Sequence, residues 1–220
     1  MKQRLLTTYL GHVALTLRDT IGLLKCAVAQ PEAVGMMAND ILSTKLITKI
    51  CAADKVFIDI GAHIGSIISE VQRSDASITV IGIEAIPEKV LYLKKHFPKA
   101  TFFDCALGDT TDTVSFYVNQ KASGYSSLTA PDSSTTHQIK EISVPLRRLD
   151  DLDNFNGVDA IKIDVEGTEL EVIKGAQETI ENNKPIIMFE SGPGHTQSKQ
   201  ALWELLQSLG YSVHLQSFPI

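Results

Sequence analysis

Cysteine is scarce in this chain. Cys26, Cys51 and Cys105 are odd in number and far apart, which excludes a disulfide framework and fits a reducing, cytoplasmic setting. No Cys-x-x-Cys or His-x-x-x-His spacing occurs and the histidines are scattered, so no metal-ligand cluster is expected. Positive charge is in deficit, with 20 Lys and Arg against 26 Asp and Glu. The net charge of −6 provides no broad cationic face, and an Asn/Asp-Pro-Pro-Tyr/Phe base-binding motif is missing, so nucleic acid is not an expected partner. Internal repeats and low-complexity tracts are absent.

Long apolar runs are missing too. The nearest approach is "LLTTYLGHVALTL" after "MKQR", with "AVA" at 27–29, an arrangement similar to a signal peptide. Arg18, Asp19 and Lys25 interrupt it, and the uncharged stretch is too short to span a bilayer. Leu6, Leu10, Val13, Leu17, Ile21, Leu24 and Val28 recur instead at helical spacing. Residues 1–53 are therefore expected to form a helical segment that packs on the rest of the chain or on a partner, with self-association through these helices as one outcome. Within it, a helix to residue 29, a loop over Pro31–Met37 and a second helix to about Ala52, capped by Asn39 or Asp40, are expected.

What is present is an ordinary apolar fraction, 44% of 220 residues, enough for one large core. From residue 54 onward, strands and helices alternate. "KVFIDIG", "ITVIGIE" (78–84), "ATFFDCAL" (100–107), "AIKIDVE" (160–166) and "PIIMFE" (185–190) read as buried strands. Helices are expected over Ser66–Arg73, from Pro87 to His96, over Glu169–Asn182 and over 197–209, with Gly210 as the last one's stop. "YSVHLQ" (211–216) reads as a final strand. This alternation implies an α/β domain over 54–220, a Rossmann-like doubly wound, mostly parallel sheet. Residues 108–150 break the pattern: two exposed strands flank a stretch rich in Ser, Thr and Gly, a β-hairpin-like insertion whose tip is expected to act as a lid.

In open parallel sheets ligands sit at the carboxyl ends of the strands. There the sequence places Asp59, Glu84, Asp104, Asp164 with Glu166, and Glu190, one acidic group for each strand. A single acid at such a place is a solvated loop residue; five along one rim point to a ligand. Gly61 and Gly65 let the chain turn tightly after the first strand, so that backbone can approach a ligand at a helix N-terminus. The spacing is G-x-x-x-G, not the G-x-G-x-x-G of dinucleotide folds, and Asp59 before the turn would repel a pyrophosphate. An acid there suits a cationic amine or sulfonium. Glu84, about 20 residues on, stands where an acid grips ribose hydroxyls. Asp104, with the backbone of Cys105 and Ala106, suits the edge of an adenine ring. Amine, ribose and adenine together describe S-adenosylmethionine.

"FIDIGAHIG", "GIEAIPE", "DCALGD", "GYSSL" and, above all, "IKIDVEGTELEVIKGA" resemble the FkbM family of class I S-adenosylmethionine-dependent methyltransferases, over about residues 54–215. The resemblance implies the class I methyltransferase fold and methylation of a hydroxyl on a sugar, glycan or natural-product-like small molecule. It carries Asp59, Gly61, Ala62, His63 and Gly65 over as the first cofactor motif, Glu84 and Ala85 as the ribose site, and Asp104, Cys105 and Ala106 as the adenine edge. His63 stands where the family usually has asparagine, and its titration is expected to make affinity depend on pH. Class I enzymes usually add a further antiparallel strand after the last one read here.

Methyl transfer is governed by positioning, with help from a base near the acceptor hydroxyl. Asp164, Glu166 and Glu190 are the candidates; for Glu166 helix capping is an equal alternative, and Asp164 has a structural alternative in fixing its loop. Ser126 and Ser127 are candidate substrate contacts that turn chemistry would also explain. His137 and His195 read as exposed loop residues. Two other functions remain: a cofactor-binding or partner module without turnover, and a nicotinamide-dependent oxidoreductase, which the missing dinucleotide motif argues against.

Overall fold

The computed structural model describes residues 9–29, 34–119, 128, 139–165, 167–189 and 196–214. Two helices come first, α1 (Tyr9–Ala29) and α2 (Val34–Ile50). The second starts earlier than expected, inside Pro31–Met37, so Asn39 and Asp40 lie within it rather than at its start. Its last turn reaches the core, where Ile47 is buried and the Cys51 amide bonds back to the Ile47 carbonyl. On α1, Leu17, Ile21, Leu24 and Val28 are exposed, so this stripe is not what joins the helix to the domain.

The domain is built on five parallel strands in the order β3-β2-β1-β7-β8. These are β1 (Val56–Ile60), β2 (Thr79–Glu84), β3 (Thr101–Asp104), β7 (Val158–Ile163) and β8 (Ile186–Phe189). Three helices alternate with them in the first half and after β7: α3 (Ser66–Ser74), α4 (Pro87–His96) and α5 (Glu169–Lys174), the last followed by α6 (Gln177–Asn183). The final helix, α7 (Thr196–Ser208), ends in a Schellman motif: Gly210 at φ 86° bonds to the Gln207 carbonyl and Tyr211 to Leu206. The doubly wound parallel sheet expected from the alternation is therefore present.

Strand side chains alternate between faces, and the core divides accordingly. Ile58, Ile60, Ile81, Ile83, Ile161 and Ile163 pack toward α5, α6 and α7. Phe57, Val80, Phe102 and Ala160 pack toward α2, α3 and α4. By the same alternation Asp59, Glu84 and Lys162 fall on the second face, further along their strands.

Three expectations need correction. Residues 100–107 are not one strand. The chain turns at Cys105, and β4 (Ala106–Leu107) joins a separate sheet, ordered β4-β6-β5, with β5 (Asp112–Asn119) and β6 (Ile139–Arg147) antiparallel. The insertion is thus a hairpin anchored by a two-residue strand; apart from Leu128 its tip lies outside the described residues. The helix expected over Glu169–Asn182 is broken at Gly175, where an added Cβ would lie 1.9 Å from the Gly108 carbonyl oxygen. Residues 211–214 form no strand; they follow α7 irregularly, with the Tyr211 hydroxyl donating to the Pro185 carbonyl.

Candidate functional site

The turn after β1 is held by backbone alone. The amides of Gly61 and Ala62 both donate to the Ile83 carbonyl of β2, at 2.9 and 3.0 Å, and the Asp164 amide donates to Ile60 at 3.0 Å. Gly61, His63 and Gly65 all adopt positive φ, at 80°, 51° and 79°. The glycines serve packing more than ligand approach. A Cβ on Gly61 would sit 2.0 Å from the Asp164 carbonyl oxygen, and one on Gly65 would meet the Phe97 ring at 2.4 Å. Gly61 is what lets β1 and β7 close together at the rim.

The twisted turn points the His63 amide at Glu84, whose Oε2 accepts it at 2.8 Å, while Oε1 accepts the Ile86 amide at 2.9 Å. Glu84 is buried. Burial raises its pKa above the ordinary carboxylate value, opposed by Lys89 and the two amides and reinforced by Asp59. A carboxylate has about four acceptor positions, so Glu84 retains capacity for hydroxyl donors. His63 is shifted down, first by desolvation and then by Lys89, so its ring stays neutral through the neutral range. The pH dependence expected from its titration therefore has a weaker source than the buried acids.

Across the rim, charge is arranged differently. Asp59 and Lys162 are register partners on β1 and β7. Lys162 Nζ lies 3.7 Å from Asp59 Oδ1 and 3.0 Å from Asp164 Oδ2. Asp59 is buried and its Oδ1 has no hydrogen-bond partner. Burial raises the Asp59 pKa, Lys162 pulls it down, and Asp164 pushes it up.

One cavity of about 990 Å³ gathers these groups. Asp59, Gly61, Ala62, His63, Glu84, Ala85, Cys105, Ala106 and Asp164 all line it, from four strand ends. Two expected members do not. Gly65 is turned into α4, and Asp104, the register partner of Glu84, is exposed near Lys94 and Glu88 of α4. Glu166, Glu190, Ser126 and Ser127, with His137 and His195, lie outside the described residues. The cavity also brings in residues that the sequence did not single out: Lys89, Lys162, Phe116 and Leu128 from the insertion, and Ser43 and Thr44 from α2. Lys162 had a signal, a cation inside a mostly apolar strand; Ser43 and Thr44 had none. Cys105 lines the cavity with its thiol pushed up to about 11 by burial, which makes it a poor nucleophile. Among the described residues no group of His, Cys, Asp or Glu could hold a metal ion, and no helix is long and apolar enough to cross a membrane.

A family model described as the methyltransferase FkbM domain matches residues 59–213. Among solved structures, the chain is similar to the FkbM methyltransferase from Methylobacillus flagellatus KT, at 17% identity over 88% of this chain and 54% of that one, with a TM-score of 0.49. It is also similar to precorrin-6y C5,15-methyltransferase from Geobacter metallireducens GS-15, at 17% identity over 79% and 72% of the two chains, TM-score 0.46. A TehB-like SAM-dependent methyltransferase from Corynebacterium glutamicum ATCC 13032 Kitasato shares 13% identity over 74% and 70%, TM-score 0.39. The chain spans about half the length of the first of these structures. No curated protein matches it.

Proposed function

We propose that this chain, which belongs to the FkbM methyltransferase family, binds S-adenosylmethionine in the rim cavity and methylates a hydroxyl on a small-molecule or glycan acceptor. The observation that carries the reading is Asp59 Oδ1, a buried carboxyl oxygen with no hydrogen-bond partner in a residue that lines the cavity. An oxygen in that state calls for a cationic donor from a ligand, and the amino group and sulfonium of S-adenosylmethionine supply positive charge. Glu84 fits the same ligand, since its two backbone bonds fix its orientation and leave acceptor positions for ribose hydroxyls.

When bound, S-adenosylmethionine supplies a methyl group on a positively charged sulfur, displaced in line by the acceptor oxygen. The protein's part is to hold the two reactants and to take the acceptor's proton. Asp59 and Asp164 place negative charge beside the positive end of the cofactor. Asp164, at the mouth with a side chain 34% exposed, is the described candidate for accepting the proton; Glu166 and Glu190 share that assignment. Phe116 and Leu128 bring the insertion against the rim close to Ala85 and Ile86, and so supply an apolar wall.

Calorimetry tests the cofactor half: micromolar binding of S-adenosylhomocysteine and none comparable of NAD is expected. Tight NAD binding with no response to S-adenosylhomocysteine would overturn it. Labelled methyl transfer to a panel of hydroxylated acceptors tests the second half. Binding without transfer to any of them would favour a cofactor-binding module.

A further inference from the structure

Lys162 has no assigned role in the reading above, and its position is unusual. Its strand neighbours Val158, Ala160, Ile161 and Ile163 are buried and apolar, and its own side chain is only 14% exposed. A lysine in such a strand is costly unless its charge is used. The acids beside it use that charge but outnumber it. Two carboxylates, Asp59 and Asp164, face this one ammonium, and Asp59 Oδ1 still has no hydrogen-bond partner. The cavity therefore meets, within a few ångströms, a fixed cation and two acids, one of which keeps an oxygen without a hydrogen bond.

An α-amino acid group has the complementary pair, an ammonium and a carboxylate on one carbon. Three lysines stand among the described lining residues. Lys89 neighbours Glu84, where the ribose is placed, and Lys184 precedes the start of β8, at the end of that strand remote from the rim. Lys162 is the one beside Asp59 and Asp164. We propose that Lys162 binds the α-carboxylate of the cofactor's methionine portion, while Asp59 and Asp164 receive its α-ammonium. The inference rests on the reading of the cavity as an S-adenosylmethionine site and adds the residue that selects an amino-acid-bearing nucleoside over one that lacks the carboxylate. The exchange conserves charge: Lys162 gives part of its contact with the acids to one anion as a new cation arrives for them.

The test compares S-adenosylhomocysteine with its decarboxylated analogue, which differs only by the carboxylate, using calorimetry on the wild type and on Lys162→Met. The wild type should prefer S-adenosylhomocysteine at least tenfold (about 1.4 kcal/mol). Lys162→Met should abolish the preference, so that S-adenosylhomocysteine and the analogue bind this variant with the same affinity. Lys162→Arg should restore much of the preference. No preference in the wild type overturns the inference, and so does a preference that survives in Lys162→Met. An equal loss for both ligands also overturns it, because it would make Lys162 a structural counter-charge. If Lys162→Met does not fold, the double variant Lys162→Met/Asp164→Asn removes both ends of the 3.0 Å pair, and its ratio of affinities is read in the same way. A wild type that binds neither ligand defeats the cofactor reading itself, a result distinct from each of these.

Discussion

The two sides of the cavity are built from different materials. On the side of β2, Glu84 is held by two backbone amides, and the turn that supplies one of them is itself bonded to the β2 backbone at Ile83. On the side of β7, the contacts are between side chains: Lys162 at 3.0 and 3.7 Å from two carboxylates, one of which keeps an oxygen without a hydrogen bond. Geometry fixed by backbone cannot be altered without altering the fold. Geometry fixed by charged side chains can be recharged by a ligand or a substitution. The β2 side is thus shaped by the fold itself, and the charged side is open to completion by a ligand. Substitutions on the first side should cost stability as well as affinity; those on the second should move affinity and pH dependence and leave the fold in place.

Gly61→Val is the severest test of the backbone side. Its Cβ would lie 2.0 Å from the Asp164 carbonyl oxygen at φ 80°, a clash with main chain added to a left-handed conformation that a β-branched residue resists. A loss of at least about 3 kcal/mol in unfolding free energy is expected from urea titration. A stable variant that merely fails to bind would mean that the glycine serves the ligand and not the join between β1 and β7.

Glu84→Gln comes next. The amide keeps the shape, but one of its two terminal atoms can no longer accept, so a buried backbone donor loses its partner at a cost of about 1–3 kcal/mol. Two charge-assisted bonds to the ribose would also weaken, which predicts at least about a hundredfold loss of S-adenosylhomocysteine affinity. Asp164→Asn, at the half-exposed mouth, should leave stability within about 0.5 kcal/mol. Equal stability losses in the two variants would erase the contrast between the sides.

Much of this was legible in the sequence, and the misses have definite causes. The parallel sheet follows from strands whose apolar runs alternate with helices, and Asp59 and Glu84 stand out as acids in those runs. The glycine turn was found for an incomplete reason: Gly61 is required by a carbonyl of a strand about a hundred residues later, which no local pattern reports. The break at Cys105 was invisible because β-prone residues continue through it, and the partner of β4 is β6, some forty residues on. Nothing local marks a break inside the helix expected over Glu169–Asn182; Gly175, where the helix stops, is fixed by the nearby Gly108 carbonyl. Asp104 had the right place in sequence, but it ends an edge strand of this sheet, is exposed and lies outside the cavity lining.

The charged side predicts a pH effect. The folded-state pKa of Asp59 lies above its ordinary 3.8, mainly through burial, with Lys162 opposing and Asp164 reinforcing from β7 and Glu84 facing it from β2. For an acid shifted upward, the stabilising contribution is complete below the unfolded-state value and is lost as pH rises through the folded-state value. Asp59→Asn should therefore match the wild type at the acid end and become the more stable of the two, without ligand, as pH rises through that window. The difference approaches about 1.4 kcal/mol for each unit of upward shift. With S-adenosylhomocysteine present the order should reverse, because the ligand's ammonium favours the ionised form. Parallel stability curves for the two proteins across that window would remove Asp59 from the titrating pair.

The smallest effect isolates a backbone angle. His63 adopts φ 51° and donates its amide to Glu84 at 2.8 Å. Asparagine enters the left-handed region several-fold more readily than most residues, and valine resists it. Both His63→Asn and His63→Val lose whatever the imidazole ring contacts, so the difference between them reports only how well each residue holds the turn. His63→Asn should exceed His63→Val by about 1 kcal/mol in stability and bind S-adenosylhomocysteine severalfold more tightly, because the amide stays aimed at Glu84. Equal behaviour of the two variants would show that the turn does not depend on this residue's conformation, and that Glu84 is oriented by the Ile86 amide alone.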